Sequence, residues 1–210
     1  MSEPTESSYV VRPATDSDAD FIALMTLEAF NWDPDRTPFT MAQLLADPAL
    51  AKYVEGWPAA GEEGVIAQTS GTASGGGPSA TGAGPGSTRA GSGSTGPVSG
   101  STDTGSGSIG TGPVPIGAAW WRYFSSAEPG YGYVADDVPE IGIAVVASWR
   151  GRGLGRALLR GIADRARAAG VSRLSLSVER ANPAARLYAS EGYEIVAVDE
   201  SAETRVKHLR

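Results

Sequence analysis

Three glycines stand within five positions, at Gly151, Gly153 and Gly155, interleaved with Arg150, Arg152 and Arg156 in the stretch SWRGRGLGRALL. Glycine inside a helix costs roughly 1 kcal/mol relative to alanine. Yet a helical apolar stripe starts within this run, with Leu154, Leu158, Ile162, Ala166 and Ala169 along one face. The first N–H groups of a helix have no internal partner and carry partial positive charge. Where no β-carbons stand in the way, an anion reaches the bare backbone, so Gly153 and Gly155 in the first turn predict a phosphate cradle there. The arginines add attraction at the same end. The phosphate loop that ends in Gly-Lys-Ser/Thr is excluded, because no lysine or hydroxyl residue stands at the required place. A dinucleotide Gly-x-Gly-x-x-Gly fails as well, since Arg156 and Leu158 occupy its last glycine position.

The chain around this turn has 210 residues and a formal net charge of -7. Between Trp149 and Arg173, seven arginines (150, 152, 156, 160, 165, 167, 173) face one acid, Asp164. A locally cationic segment in an acidic protein suits a small anion better than a polyanion, and nucleic acid is not expected as a partner. The absence of cysteine removes disulfides, thiolate metal sites and a cysteine nucleophile. No His/Asp/Glu cluster has metal-ligand spacing, so no metal is expected, and the lone histidine, His208, has no expected role. No apolar run reaches the roughly 18 residues of a membrane span. The polar start MSEPTESSYVVRP lacks the apolar core of a secretory signal. A cytoplasmic monomer or homodimer with no membrane partner is the expectation.

The elements that must carry the turn follow from periodicity. A short strand at Tyr9 to Thr15 precedes a helix capped within residues 16 to 18. A second helix is expected over Phe39 to Trp57, interrupted or restarted at Asp47-Pro48, and a strand over Glu63 to Gln68. From 69 to 112 the chain is almost wholly Gly, Ser, Thr, Ala and Pro, charged only at Arg89 and Asp103. Such a tract cannot offset its ordering entropy, so a disordered insertion is expected. It reads as an overgrown hairpin loop, since lengthening a loop from about 4 to about 44 residues costs only roughly 2 kcal/mol. Strands at Ile116 to Phe124 and Pro139 to Ala147 follow, then the glycine turn and its helix. A strand from Arg173, a short helix from Asn182 and two closing strands complete an α/β pattern around a mixed sheet. The adjacent Trp120 and Trp121 must point to opposite faces, one into the core and the other free to line an acceptor pocket.

The run from Arg150 to Gly155 resembles the R/Q-x-x-G-x-G/A signature of the GCN5-related N-acetyltransferases (GNAT). NPAARLYASEGYE looks like that family's second motif, with Asn182, Ala185, Leu187, Tyr188, Gly192 and Tyr193 in place. The resemblance is strong over Glu140 to Val198 and loose over the N-terminal strand and helices; the long Gly/Ser insertion departs from it. It implies one N-acetyltransferase domain over 1–210. The implied fold is a twisted mixed sheet of about six to seven strands, with helices on both faces and splayed central parallel strands.

The resemblance further implies acetyl-CoA in a cleft between those strands. Pantetheine would pair with backbone around Ile143, Ala144 and Val145. The pyrophosphate would take the amides from Gly151 to Arg156, Leu154 and Gly155 included. Asn182, which also suits a helix cap before Pro183, would contact the cofactor near its thiol end. Tyr188 would protonate the leaving thiolate. Glu140, five residues before Val145, is the best candidate for the base that takes a proton from the acceptor amine, ahead of Asp136 and Asp137. The loop Phe30 to Phe39, with Trp32, Asp33 and Asp35, would border the acceptor site. Two rivals remain: a non-catalytic CoA-binding module on the same fold, and a nucleic-acid-contacting domain that uses the arginines.

Overall fold

Alternating strands and amphipathic helices bring the residues described by the computed structural model, 8–70 and 112–209, into one mixed sheet with helices against both faces. The tract read as a disordered insertion lies outside the described residues but for positions 69, 70 and 112. In chain order the elements are β1 (Tyr9–Pro13), α1 (Ala19–Phe30), α2 (Met41–Ala46), α3 (Pro48–Ala51), β2 (Gly64–Thr69) and β3 (Pro115–Arg122). There follow β4 (Glu140–Val145), α4 (Leu154–Ala168), β5 (Arg173–Glu179), α5 (Ala184–Ser190), β6 (Glu194–Val198) and β7 (Ala202–His208). Among the described residues the sheet has seven strands in the order β1-β2-β3-β4-β5-β7-β6. All neighbours are antiparallel except β4 and β5.

The strands on either side of the tract pair with each other, from Gly64 opposite Trp120 to Gln68 opposite Pro115. Thr69, the first residue of the tract in the sequence reading, instead closes β2, and its amide donates to the Val114 carbonyl at 2.9 Å. The helix expected over Phe39 to Trp57 forms only as α2 and α3. Asp47 separates them and caps α3, its Oδ1 accepting from the Ala49 amide at 2.9 Å with Pro48 in the first turn.

Alternation along the central strands divides the core. Val65 and Ala67 of β2, Ala119 and Trp121 of β3 and Ile141 of β4 face α4, which buries Leu154, Leu158, Leu159, Ile162, Ala163 and Ala166 against them. Ile66, Ala118, Trp120 and Ala144 face α1, which contributes Ile22 and Met25. Both tryptophans are buried, so neither lines an acceptor pocket as expected for the outward one. Ala169 is the C-cap of α4 and lies exposed, because the apolar stripe ends one turn earlier.

The Trp120 indole lies across Gly142, its partner on β4, where a β-carbon would stand 2.6 Å from Cε2. We expect Gly142→Ala to destabilise the fold by about 2 kcal/mol through overpacking. Urea denaturation checks this, as a lower midpoint with unchanged slope; an unchanged midpoint would show that the indole has room to shift.

Candidate active site

β4 and β5 run parallel but share a single register pair, Glu140 with Ser175, supported by the Ser175 amide donating to the Pro139 carbonyl at 3.0 Å. Each strand is held by its other neighbour: β4 pairs with β3 from Glu140 to Val145, and β5 pairs with β7 along its whole length. Beyond Glu140 the seam between them stays open. Ile143, Ala144 and Val145 stand on its β4 side. The Val145 carbonyl there already accepts from Arg150 Nε at 3.1 Å.

At the end of this strand the chain makes a short 3-10 turn, Ala147–Trp149, and enters the glycine run. Gly151 and Gly153 have φ of 74° and 79°, a left-handed conformation that residues with a β-carbon adopt only at a cost. Gly153 is the N-cap of α4 and offers no side-chain acceptor. The first helical bond is from the Ala157 amide to the Gly153 carbonyl. The amides of Gly151, Arg152, Gly153, Leu154, Gly155 and Arg156 therefore donate to nothing among the described residues. The Leu154 side chain is buried in the core, and Gly155 lies where a β-carbon would approach Leu187 Cδ2 to 3.1 Å. The cradle is thus made of backbone, and the third glycine, Gly155, also lets α5 close in on α4.

The arginines are disposed differently from the sequence reading. The Arg156 side chain turns away to Glu191 Oε1 at 2.9 Å and Ser190 Oγ at 3.2 Å, so only its amide faces the cradle. Arg150 pairs with Glu28 at 2.6 Å, and Arg160 with Glu191 at 3.0 Å. Arg165 pairs with Glu63, Arg167 with Asp164, and Arg173 with Asp137. Arg152 makes no ion pair with a described residue; its guanidinium lies 5.1 Å above the Trp149 ring.

Glu140, at the point where the seam opens, is 7% exposed. Its Oε2 accepts from the Gly132 amide at 2.9 Å and its Oε1 from the Tyr53 hydroxyl at 3.4 Å. Burial pushes its carboxyl up to about 7, against the opposing pull of those two hydrogen bonds and of Lys52. Tyr188, on α5, is buried with its ring edge-on to Tyr193, the centroids 6.0 Å apart. Burial alone raises its hydroxyl to about 12, and among the described residues no hydrogen bond engages that hydroxyl. A phenol so placed keeps its proton at neutral pH. Asn182 Oδ1 accepts from the Ala184 amide at 2.9 Å, which is a capping role and leaves its amide nitrogen unengaged by described residues. Trp32 Nε1 and both terminal nitrogens of Arg36 converge on the carboxylate of Glu179, which ends β5. The loop between α1 and α2 is thereby docked beside the seam.

An open parallel seam that ends in a glycine-capped helix is matched by sequence comparison. The acetyltransferase (GNAT) family model matches residues 108–193, through β3, the glycine turn and α5 to Tyr193. Over those residues the chain is similar to the GNAT acetyltransferase family. The described residues have the GNAT fold. The chain resembles the Salmonella typhimurium protein yncA, described with its cofactor acetyl-CoA, at 19% identity and TM-score 0.54 over 96% of this chain and 94% of that one. It resembles a GCN5-related N-acetyltransferase from Kribbella flavida at 19% identity and TM-score 0.53, over 98% and 100%. An N-acetyltransferase from Staphylococcus aureus Mu50 aligns at 16% identity and TM-score 0.53, over 97% and 100%. No curated protein matches the chain.

On this GNAT framework, Glu140 and Tyr188 come from opposite faces of the sheet, the first shared with α1 and the second packed with α4. Sequence reasoning missed Tyr53, Lys52 and the Gly130–Gly132 segment around Glu140. Tyr53 lies 87 residues from Glu140 and carries no local signal. The doubled glycines of GYGYV are such a signal, for a β-carbon on Gly132 would come within 2.6 Å of the β5 backbone at Leu176.

The raised Glu140 carboxyl sets a pH dependence of stability. Below about 4.5 both the folded and the unfolded chain hold this proton; between 4.5 and about 7 only the folded chain does, so stability falls as pH rises. Above 7 the loss is complete. Glu140→Gln should therefore be more stable than the parent by on the order of 2–3 kcal/mol at pH 8 and match it near pH 4.5. Denaturant titrations at the two pH values check this, and an equal difference at both would remove the carboxyl as the cause.

Proposed function

We propose that the chain transfers an acetyl group from acetyl-CoA directly to an amine acceptor, both bound at once. The observation that carries this reading is the open edge of β4 leading into six unengaged amides at Gly151 to Arg156. An extended pantetheine can add to such an edge as a strand, and the pyrophosphate suits the backbone cradle with its left-handed glycines. The Asn182 amide nitrogen is available near the thiol end. The yncA structure is described with acetyl-CoA as its cofactor, a ligand of this kind. The chain contains no cysteine, so it has no thiol to hold a covalent acyl intermediate.

In the reaction, the acceptor ammonium loses a proton to the Glu140 carboxylate, directly or through a water. The amine nitrogen attacks the thioester carbon; a C–N bond forms and the C–S bond breaks. Tyr188 gives its proton to the departing sulfur, and the second nitrogen proton replaces it. A Glu140 that titrates near 7 is ionised on the alkaline side, so kcat/KM should rise with pH and level off above about 7.

Calorimetric titration with acetyl-CoA, with NADH and ATP as controls, tests the donor. Gly153→Asp places a carboxylate in the cradle at φ 79° and should weaken acetyl-CoA binding by roughly tenfold or more. Unchanged affinity would sink the phosphate-site assignment. Tyr188→Phe should lower kcat by roughly 100-fold, with acetyl-CoA affinity close to the parent's. An equal turnover number would remove Tyr188 as the acid.

A further inference from the structure

Tyr53 follows α3, at the end of the chain's first helical region, yet its side chain reaches the carboxylate at the mouth of the seam. Its ring is held on three sides. It stacks on Tyr131 at 5.6 Å between centroids and 10° between planes, lies 4.9 Å from Phe124 and meets Phe30 edge-on at 5.7 Å. This packing fixes where the hydroxyl sits.

The hydroxyl oxygen accepts from the Tyr131 amide. A phenol has one proton to donate, and with its oxygen engaged as an acceptor that proton must go to another group. Among the described residues the acceptor it meets is Glu140 Oε1, at 3.4 Å. Among the described residues, the other groups around Glu140 make no hydrogen bond to Oε1. Lys52 donates to the Pro129 carbonyl at 2.5 Å and sits over the Phe124 ring. Arg122, opposite Glu140 on β3, gives its Nε to Glu62 Oε1 at 3.3 Å, while its buried Nη1 has no hydrogen-bond partner among the described residues. The Ser175 hydroxyl on β5 donates to the Pro139 carbonyl. Among the described residues, the other hydrogen bond that Glu140 accepts is from the Gly132 amide, to Oε2.

We propose that Tyr53 is the positioning residue of the reaction: pinned by the Tyr131 amide, its hydroxyl donates to Glu140 Oε1 and holds the carboxylate oriented and ionisable for proton transfer. The inference rests on Glu140 as the base. It assigns to the region before β2 a part in the chemistry that neither motif of the sequence contains. Tyr53 keeps its own proton throughout, since burial and the neighbouring carboxylate both raise its hydroxyl. The proton taken from the acceptor therefore stays on Glu140 and is not passed along to Tyr53.

The test is a carbon-13 NMR titration of the 210-residue chain, with the Glu140 carboxyl signal assigned by its loss in Glu140→Gln. In Tyr53→Phe the carboxylate loses a donor, and its midpoint should rise by about one pH unit. The rise of kcat/KM with pH should move by the same amount. An unmoved Glu140 midpoint overturns the inference. Should Tyr53→Phe fail to fold, the parent protein still decides. The Tyr53 Cζ signal must show a step at the Glu140 midpoint, and a Tyr53 signal indifferent to it also overturns the inference. Failure of the wider reading looks different: Glu140→Gln would keep its activity while the Tyr53-dependent shift of the carboxyl persisted.

Discussion

β4 and β5 meet at one residue pair and then part, and the rest of the molecule is arranged around that opening. Backbone donors and acceptors left unpaired inside a sheet are costly, so a seam of this kind persists only when both sides are held elsewhere. Here β4 is paired with β3 over its whole length and β5 with β7 over its own, while α1 and α4 pack on the two faces. The two central strands are thus held by their outer partners. What remains is an extended backbone edge of the kind to which an extended ligand can add as a strand.

Polarity follows the same geometry. The seam runs into the left-handed glycines, whose amides have no partner among the described residues, and the dipole of α4 adds to their partial positive charge. The arginine-rich composition of this region suggested a cationic surface, but folding brings acids from distant elements to most of these side chains. Glu191 alone receives both Arg156 and Arg160. The arginines of these pairs stay exposed while Glu191 is buried, and the pairs cancel a charge that would otherwise draw polyanions. The attraction left at the cradle comes from fixed backbone dipoles, with Arg152 held near it over Trp149.

The two titratable residues of the site owe their character to burial. Tyr188 has no charged neighbour to perturb it, so loss of water alone keeps it protonated. Glu140 loses water too, but accepts two hydrogen bonds that favour its ionised form, which leaves it balanced near neutrality. One of these bonds comes from a loop whose glycine fits against β5, and the other from a tyrosine beyond α3. In the proposed reaction the proton acceptor and the proton donor would thus work from the two faces of one sheet.

The sequence by itself determined what depends on neighbours along the chain. The apolar stripe of α4, the alternation of the central strands, the Asp47-Pro48 helix restart and the glycine turn are all local consequences of side-chain period and backbone freedom. Glu140, Tyr188 and Asn182 were legible as residues beside those signals. Only the tertiary structure decided what surrounds them. Tyr53 and Gly132 reach Glu140 because α3 and the segment before β4 pack on one face of the sheet, and no spacing along the chain encodes that approach. The Arg156 side chain left the cradle for Glu191, and both tryptophans were buried, because helix and sheet contacts settle direction after local structure is set. A turn reads from its own residues, whereas a proton affinity depends on every element that excludes water from the group.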